Sequence, residues 1–352
     1  MRGKDRCRVA PVDGDGPDAT KVGGGRMFRR RNVRLVVPAL APLLLLTGCG
    51  GAVSNGSFDR TYDVSGPIRL DLTSASGSVH ISASADNKVH VHGEIRAHGF
   101  LFHDASKQAR ELSANPPIEQ KPDIVRVGKE LGRSSGTVIE YTIELPRNAE
   151  VITTVASGSQ TISDIQGPVK IESSSGPIAV SKIDRSVQVN SASGSVTAQD
   201  LGDDFRASTK SGSVNATNIK GDVRIRTQSG SVNVSGPGAR VEASSKSGSV
   251  DVVGAGNDVN GSSTSGRVSV KGNPSGNSYW NLKTVSGSVE VAVPPSANFH
   301  LSAEAVSGQI NAGVPIVIED QDKHNLRARV GNAGGRVEIH TVSGEINVQP
   351  TS

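Results

Sequence analysis

The sequence predicts an all-β protein, a parallel β-helix or solenoid built from coils of about 18 residues, with a short N-terminal cap containing one helix. Three observations carry this. The tetrapeptide Ser-Gly-x-(Val/Ile) returns along the chain, with glycines at Gly158, Gly176, Gly194, Gly212, Gly230, Gly248 and Gly266, each 18 residues after the last, and a fixed period of this kind marks a repeat architecture. Apolar residues alternate within each interval, as in a strand with one buried face. The parity of that alternation switches at the glycine, so the chain must bend there to keep its valines inward.

In the coil around Gly230, for example, Val223, Ile225, Thr227 and Ser229 share one parity, and Val232 and Val234 take the other. The same offsets recur as Val187, Val189, Ser191 and Ser193 before Gly194, and as Val241, Ala243, Ser245 and Ser247 before Gly248. A second switch brings Ile165, Ile183, Leu201 and Ile219 inward, each followed closely by Gly or Asp, which suits a turn. Each coil is therefore two short strands, a glycine corner and a looser turn. Stacking such coils in parallel register buries a continuous column that no single coil could bury. Inward Ser and Thr beside the corner are expected to form hydroxyl ladders along the stack. Three hexapeptide sides of a left-handed helix would also give 18 residues, but parity breaks at two places, not three.

Taken from its start, the chain opens with a targeting segment, residues 1–48, which stands outside the fold. Arg29, Arg30, Arg31 and Arg34 precede an apolar run at 35–46 that is short for a membrane span. The run ends in Leu46-Thr47-Gly48-Cys49, which resembles the bacterial lipoprotein signal, in which a peptidase cuts before the cysteine and its thiol is lipidated. Met27, directly before the arginines, is the expected true start. Residues 1–48 hold 10 of the 38 basic and 4 of the 34 acidic residues, leaving 28 against 30 for the rest. The basic character is mostly the signal's, so charge gives no reason to expect a nucleic-acid partner. Cys7 is discarded with the signal and Cys49 is lipidated, which leaves no disulfide. Residues 49–57 are small and polar and read as a tether. Gly50 after the cysteine, by analogy with lipoprotein sorting, permits outer-membrane delivery where there is one.

Residues 58–150 read as a cap with the first degenerate coils, and 151–352 as the regular solenoid. Ser76-Gly77-Ser78-Val79 is the motif in degenerate form, a helix is expected at 103–114 with Asp104 as N-cap, and 124–127 and 138–146 are expected strands feeding the stack. After Gly266 the motif glycines are Gly287, Gly308 and Gly344, with gaps of 21, 21 and 36. The extra residues belong on outer turns. Residues 313–335 are an excursion before the last coil. Trp280, Leu282, Thr284 and Ser286, and then Phe299, Leu301, Ala303, Ala305 and Ser307, keep the inward parity with larger side chains, so that end should be wider. The last coil reads Val337, Ile339, Thr341 and Ser343, then Ile346 and Val348.

The lipoprotein-type signal, the strand-and-helix cap, the strand Tyr141-Thr142-Ile143-Glu144-Leu145-Pro146 and the recurrent Ser-Gly-x-(Val/Ile) coils together resemble the putative-adhesin domain family of bacteria, related to autotransporter adhesin head domains. The resemblance covers roughly 58–348. It implies a right-handed parallel β-helix and an adhesin by family label, and it carries no catalytic residues.

Chemistry-bearing clusters are few. His90 and His92 share a strand face, with His80, His98 and His103 nearby, but no cysteine or well-spaced carboxylate completes a metal set. Asp200, Asp203 and Asp204 suggest the carboxylates of β-helical polysaccharide enzymes, yet loops of two to four residues offer no wall for a sugar. Arg206, Arg224, Arg226 and Arg240 lie outward but interleave with Asp222 and Glu242, as a mixed-charge solvated face does. Aromatics are 3% of the chain and scattered, which disfavours a stacking lectin groove. An ice-binding face is disfavoured because the strict Ser and Thr positions take the inward parity. The expectation is a lipid-anchored, non-catalytic envelope protein, an adhesin or surface scaffold with no cofactor or metal. Its partners would be the membrane through Cys49 and a glycan or an envelope or surface protein. The alternatives are a β-helical carbohydrate-active enzyme and a sensory lipoprotein that binds one envelope partner.

Overall fold

Two sheets, of 14 and 15 strands, face each other across one apolar column. They come from a computed structural model that describes residues 53–99, 104–128, 136–332 and 334–351. The signal segment, Cys49 and His103 lie outside the described residues. Each regular coil gives one strand to each sheet; the Gly194 coil gives Val187–Ser193 to the larger and Val196–Leu201 to the smaller. Successive coils pair in parallel at offsets of 18, Val187 against Phe205 and Val196 against Val214. The period therefore is the register.

Inward positions match the alternation at both switches. Val187, Val189, Val196, Ala198 and Leu201 are all buried. The second switch has a backbone cause that alternation alone did not expose. Asp164, Lys182, Asp200 and Asn218, each just before the inward Ile or Leu, have φ of 63°, 53°, 54° and 56°, and Gly236 and Gly254 continue that left-handed column. One left-handed residue per coil turns the next side chain inward.

Two expectations at the corner need correction. The serine directly before the glycine, expected inward at Ser193, Ser229, Ser247, Ser286, Ser307 and Ser343, is exposed, because each strand has already turned away two residues earlier. The buried hydroxyls are those three residues before the glycine, and among the described residues one pair of them forms a ladder contact, Thr209 Oγ1 donating to Thr227 Oγ1 at 3.0 Å. From Thr227 onward the hydroxyl donates to the corner glycine carbonyl of the coil below, as Ser245 to Gly230 at 2.9 Å and Ser263 to Gly248 at 2.9 Å. A backbone acceptor at that distance outcompetes a neighbouring hydroxyl.

Both ends of the stack depart from chain order. The Gly77 coil, β2 (Arg69–Ser74) and β3 (Val79–Ser84), pairs directly with the Gly158 coil. The strands expected to feed the stack instead lie on its outer side: β6 (Ile124–Val127) on β2, and β7 (Thr137–Pro146) on β3. β4 (Lys88–His98) follows antiparallel on β7, β1 (Val53–Asp63) on β4, and β5 (Ile118–Lys121) on β6. The tether therefore ends earlier than expected, since Val53–Ser57 is paired strand. Helix α1 (Ala105–Ala114) is capped by the Asp104 carboxylate and packs on β1 at Gly56, where an added Cβ would meet Ser113.

At the other end, the coil that is last in sequence is not last in the stack. Strand Gly335–Ser343 inserts in parallel between Tyr279–Ser286 and Phe299–Ser307, so the Gly344 coil lies between those of Gly287 and Gly308. The excursion expected at 313–335 forms a hairpin, Val317–Gln321 with Asn325–Val330, on the outer side of the Gly308 coil. This out-and-back path explains the 36-residue gap.

One polar pair interrupts the column. Gln160 stands where other coils carry Val or Ile after the corner, Thr153 donates its hydroxyl to Gln160 Oε1, both are fully buried, and Gln160 Nε2 finds no acceptor. A buried unsatisfied amide donor costs about 1–3 kcal/mol. Replacing both together, Thr153→Val with Gln160→Val, should raise the thermal midpoint. A lower midpoint would show that the pair is satisfied as it stands.

Candidate functional site

The residues four, three and two before each corner glycine form a groove on the outside of the larger sheet. It crosses eight coils, from Thr73 to Thr264, with a cavity volume of about 1190 Å³, above the usual ligand-pocket range of about 300–1,000 Å³. At a strand spacing of about 4.8 Å, seven intervals make it about 34 Å long. The bend of each strand before its corner makes the trough. Small side chains keep it open: Ala75, Ala156, Ser174 and Ala192 occupy the position two before the glycine in four successive coils of the stack.

The groove is lined by Ser and Thr interspersed with Ala and Val, with the amides of Asn190 and Gln228, and its charges are Glu172 in the third coil and Lys210, Arg226 and Lys246 in the fifth to seventh. Arg226 is paired with Glu242, whereas among the described residues the side chains of Lys210 and Lys246 have no hydrogen-bond or ion-pair partner. The hydroxyl row is satisfied internally at Ser173, Thr209, Thr227, Ser245 and Ser263. Ser191 is the exception: it is 7% exposed, lines the groove, and its Oγ has no partner. Past Thr264 the row turns apolar, with Val285, Val342 and Val306 exposed in stack order.

The clusters singled out in the sequence do not converge. His90 and His92 share the outer face of β4, His90 against Asp86 at 3.1 Å and His92 against Asp59 at 2.7 Å. Hydrogen bonds from Ser84 and then His90 hold the Asp86 carboxyl below its ordinary range. His80 and His98 are exposed on their own strands, and His98 Nδ1 lies 3.1 Å from the Gly136 carbonyl. Among the described residues no three His, Cys, Asp or Glu side chains are gathered as metal ligands. Asp204 accepts from the Asp222 amide at 2.9 Å and from Arg206 at 2.8 Å, Asp203 from the Asp204 amide, and Asp200 from Asn218 at 2.9 Å. Asp200 and Asp204 tie one turn to the next, Asp203 bonds within its own turn, and all three lie outside the groove. The arginine stripe is the expected mixed face, Arg224 reaching Asp222 and Glu242 at 3.4 Å each and Arg240 reaching Asp258 at 3.4 Å. Arg226 alone of the stripe lines the groove. The motif glycines stack at the corner, and from Gly158 on each has the carbonyl of the preceding glycine of the stack lying where a Cβ would be.

Sequence reasoning missed the groove because short loops suggested no wall. The wall is made by strand bends, and its only trace in the sequence is the recurrence of Ala and Ser two residues before the glycine.

Residues 185–349 match the family model described as Toastrack DUF4097, which covers the coils from Gly194 to Gly344. No curated protein matches the chain. Among solved structures, a putative cell adhesion protein from Clostridium sporogenes ATCC 15579 is 13% identical, over 85% of this chain and 100% of that one, with a TM-score of 0.23. A putative adhesin from Bacteroides fragilis NCTC 9343 is 17% identical, over 67% of this chain and 96% of that one, with a TM-score of 0.39. The family match over 185–349 bears out the resemblance drawn from the motif.

Proposed function

We propose that this chain is a lipid-anchored element of the cell envelope, without catalytic activity, that acts as an adhesive surface or scaffold through the outer face of its solenoid. The observation that supports this is the groove itself: eight coils present the same three positions in register, which suits an elongated partner held at many weak sites. Its few charged groups include no pair of carboxylates at a working distance, and Asp200, Asp203 and Asp204 lie outside it, taken up in hydrogen bonds within and between turns.

Two measurements test the two halves of this reading. Cys49→Ala should shift the protein from the membrane to the soluble fraction, and unchanged membrane retention would remove the lipid anchor from the account. The full chain, solubilised in detergent, should bind saturably to a glycan or to foreign cells in a panel that also samples solubilised envelope. Recovery of one stoichiometric envelope protein with no glycan or cell signal would replace adhesion by a sensory or scaffold role.

A further inference from the structure

We infer that the stretch of the groove from Lys210 to Lys246 binds a linear acidic polysaccharide, with its chain lying along the stack and its carboxylates on those two lysines. This rests on the adhesive reading above and names its ligand. Four observations lead to it. The groove runs across the strands, so a bound chain meets side chains rather than a free sheet edge, and a peptide could not be held by strand addition. Lys210 and Lys246 occupy the same position two coils apart, hence about 9.6 Å at the strand spacing. In an extended polyuronate, which carries a carboxylate on every ring, alternate rings present theirs at a comparable interval.

The third observation is charge. Outside the targeting segment the chain carries 28 basic and 30 acidic residues, yet the groove holds three cations against one carboxylate. Two of those cations have no protein partner, so an anion would be the first they meet. The fourth is hydrogen-bonding capacity: Gln228 lies in the coil between the two lysines and, with Asn190, supplies the amides that sugar hydroxyls take. Sparse aromatics argue against recognition by ring stacking and leave charge and hydrogen bonds to do it.

The test uses the full chain in detergent micelles with polygalacturonate as probe and neutral dextran as control. Polygalacturonate should bind more tightly than dextran, and its affinity should fall as salt screens the lysines. The double variant Lys210→Gln with Lys246→Gln should weaken it by about tenfold or more, since two charge-assisted contacts are removed. Gln228→Ala should weaken it several-fold. Lys220→Gln with Lys271→Gln changes net charge equally outside the groove and should leave affinity unaltered. Equal loss in both double variants, no preference for polygalacturonate over dextran, or tighter binding of polyglutamate or DNA would each overturn the inference. If the wild-type chain fails on polygalacturonate but still holds other glycans or cells, only this inference falls. If it holds none of them, the adhesive reading falls with it.

Discussion

Gly230→Ala should destabilise the solenoid by about 3 kcal/mol or more, although the substitution adds a single methyl group. The backbone at Gly230 is not left-handed, so the cost is steric: an added Cβ would sit 2.2 Å from the Gly212 carbonyl oxygen and 2.6 Å from its carbon. Both are backbone atoms of a neighbouring coil and cannot move without breaking the parallel register. Gly194→Ala should cost more still, because that corner combines a φ of 134° with a carbonyl 2.1 Å away, and both strain and overlap then act. Gly66, which has nothing within 4 Å of an added Cβ, is the control; Gly66→Ala should stay within about 0.5 kcal/mol of wild type. Denaturant unfolding of the three variants measures this. If Gly230→Ala matched Gly66→Ala, the corners would not be stacked at contact distance.

Trp280→Ala should cost about 3–5 kcal/mol, the range for removing a large aromatic from a packed interior. Trp280 is fully buried in the first of the stretched coils, between Val259 and Val337, and its indole N–H donates to the Asn257 carbonyl at 2.8 Å. Next to it Leu282 fills the space left by Gly261, whose added Cβ would come within 3.3 Å of it. The larger coil is thus accommodated by a glycine in the coil below, and the cavity left by alanine cannot easily collapse. Trp280→Phe keeps most of the volume and loses the hydrogen bond, so its cost should be nearer 1–2 kcal/mol. Equal costs for the two would show that volume does not matter there.

How much could be read from the chain follows from what a period encodes. Val187, Val189 and Val196 could be placed inward, and the corners located, because alternation and register repeat with the same 18-residue step. Asp104 was legible as a cap because its chemistry is local. The order of the last coils was not. Like coils present the same pairing edge, so nothing local tells Gly335–Ser343 to enter between two earlier strands. The same holds for β6 and β7, whose composition marks them as strands but not as layers outside the Gly77 coil. Ser193 and its equivalents were placed inward by carrying parity one step beyond the bend. The groove is a property of residue size summed over eight coils, and Ser191 differs from its neighbours only in lacking an acceptor, which no pattern of residue types displays.

The central claim is that this surface holds a polymer and does not transform it. The most direct test incubates the full chain in micelles with each polysaccharide it retains, and measures in the same sample the polymer bound and the new chain ends formed over many hours. The account predicts saturable retention with no new ends. Ends that accumulate with time and disappear in Asp203→Asn or Asp204→Asn would contradict it and make the chain a β-helical carbohydrate-active enzyme.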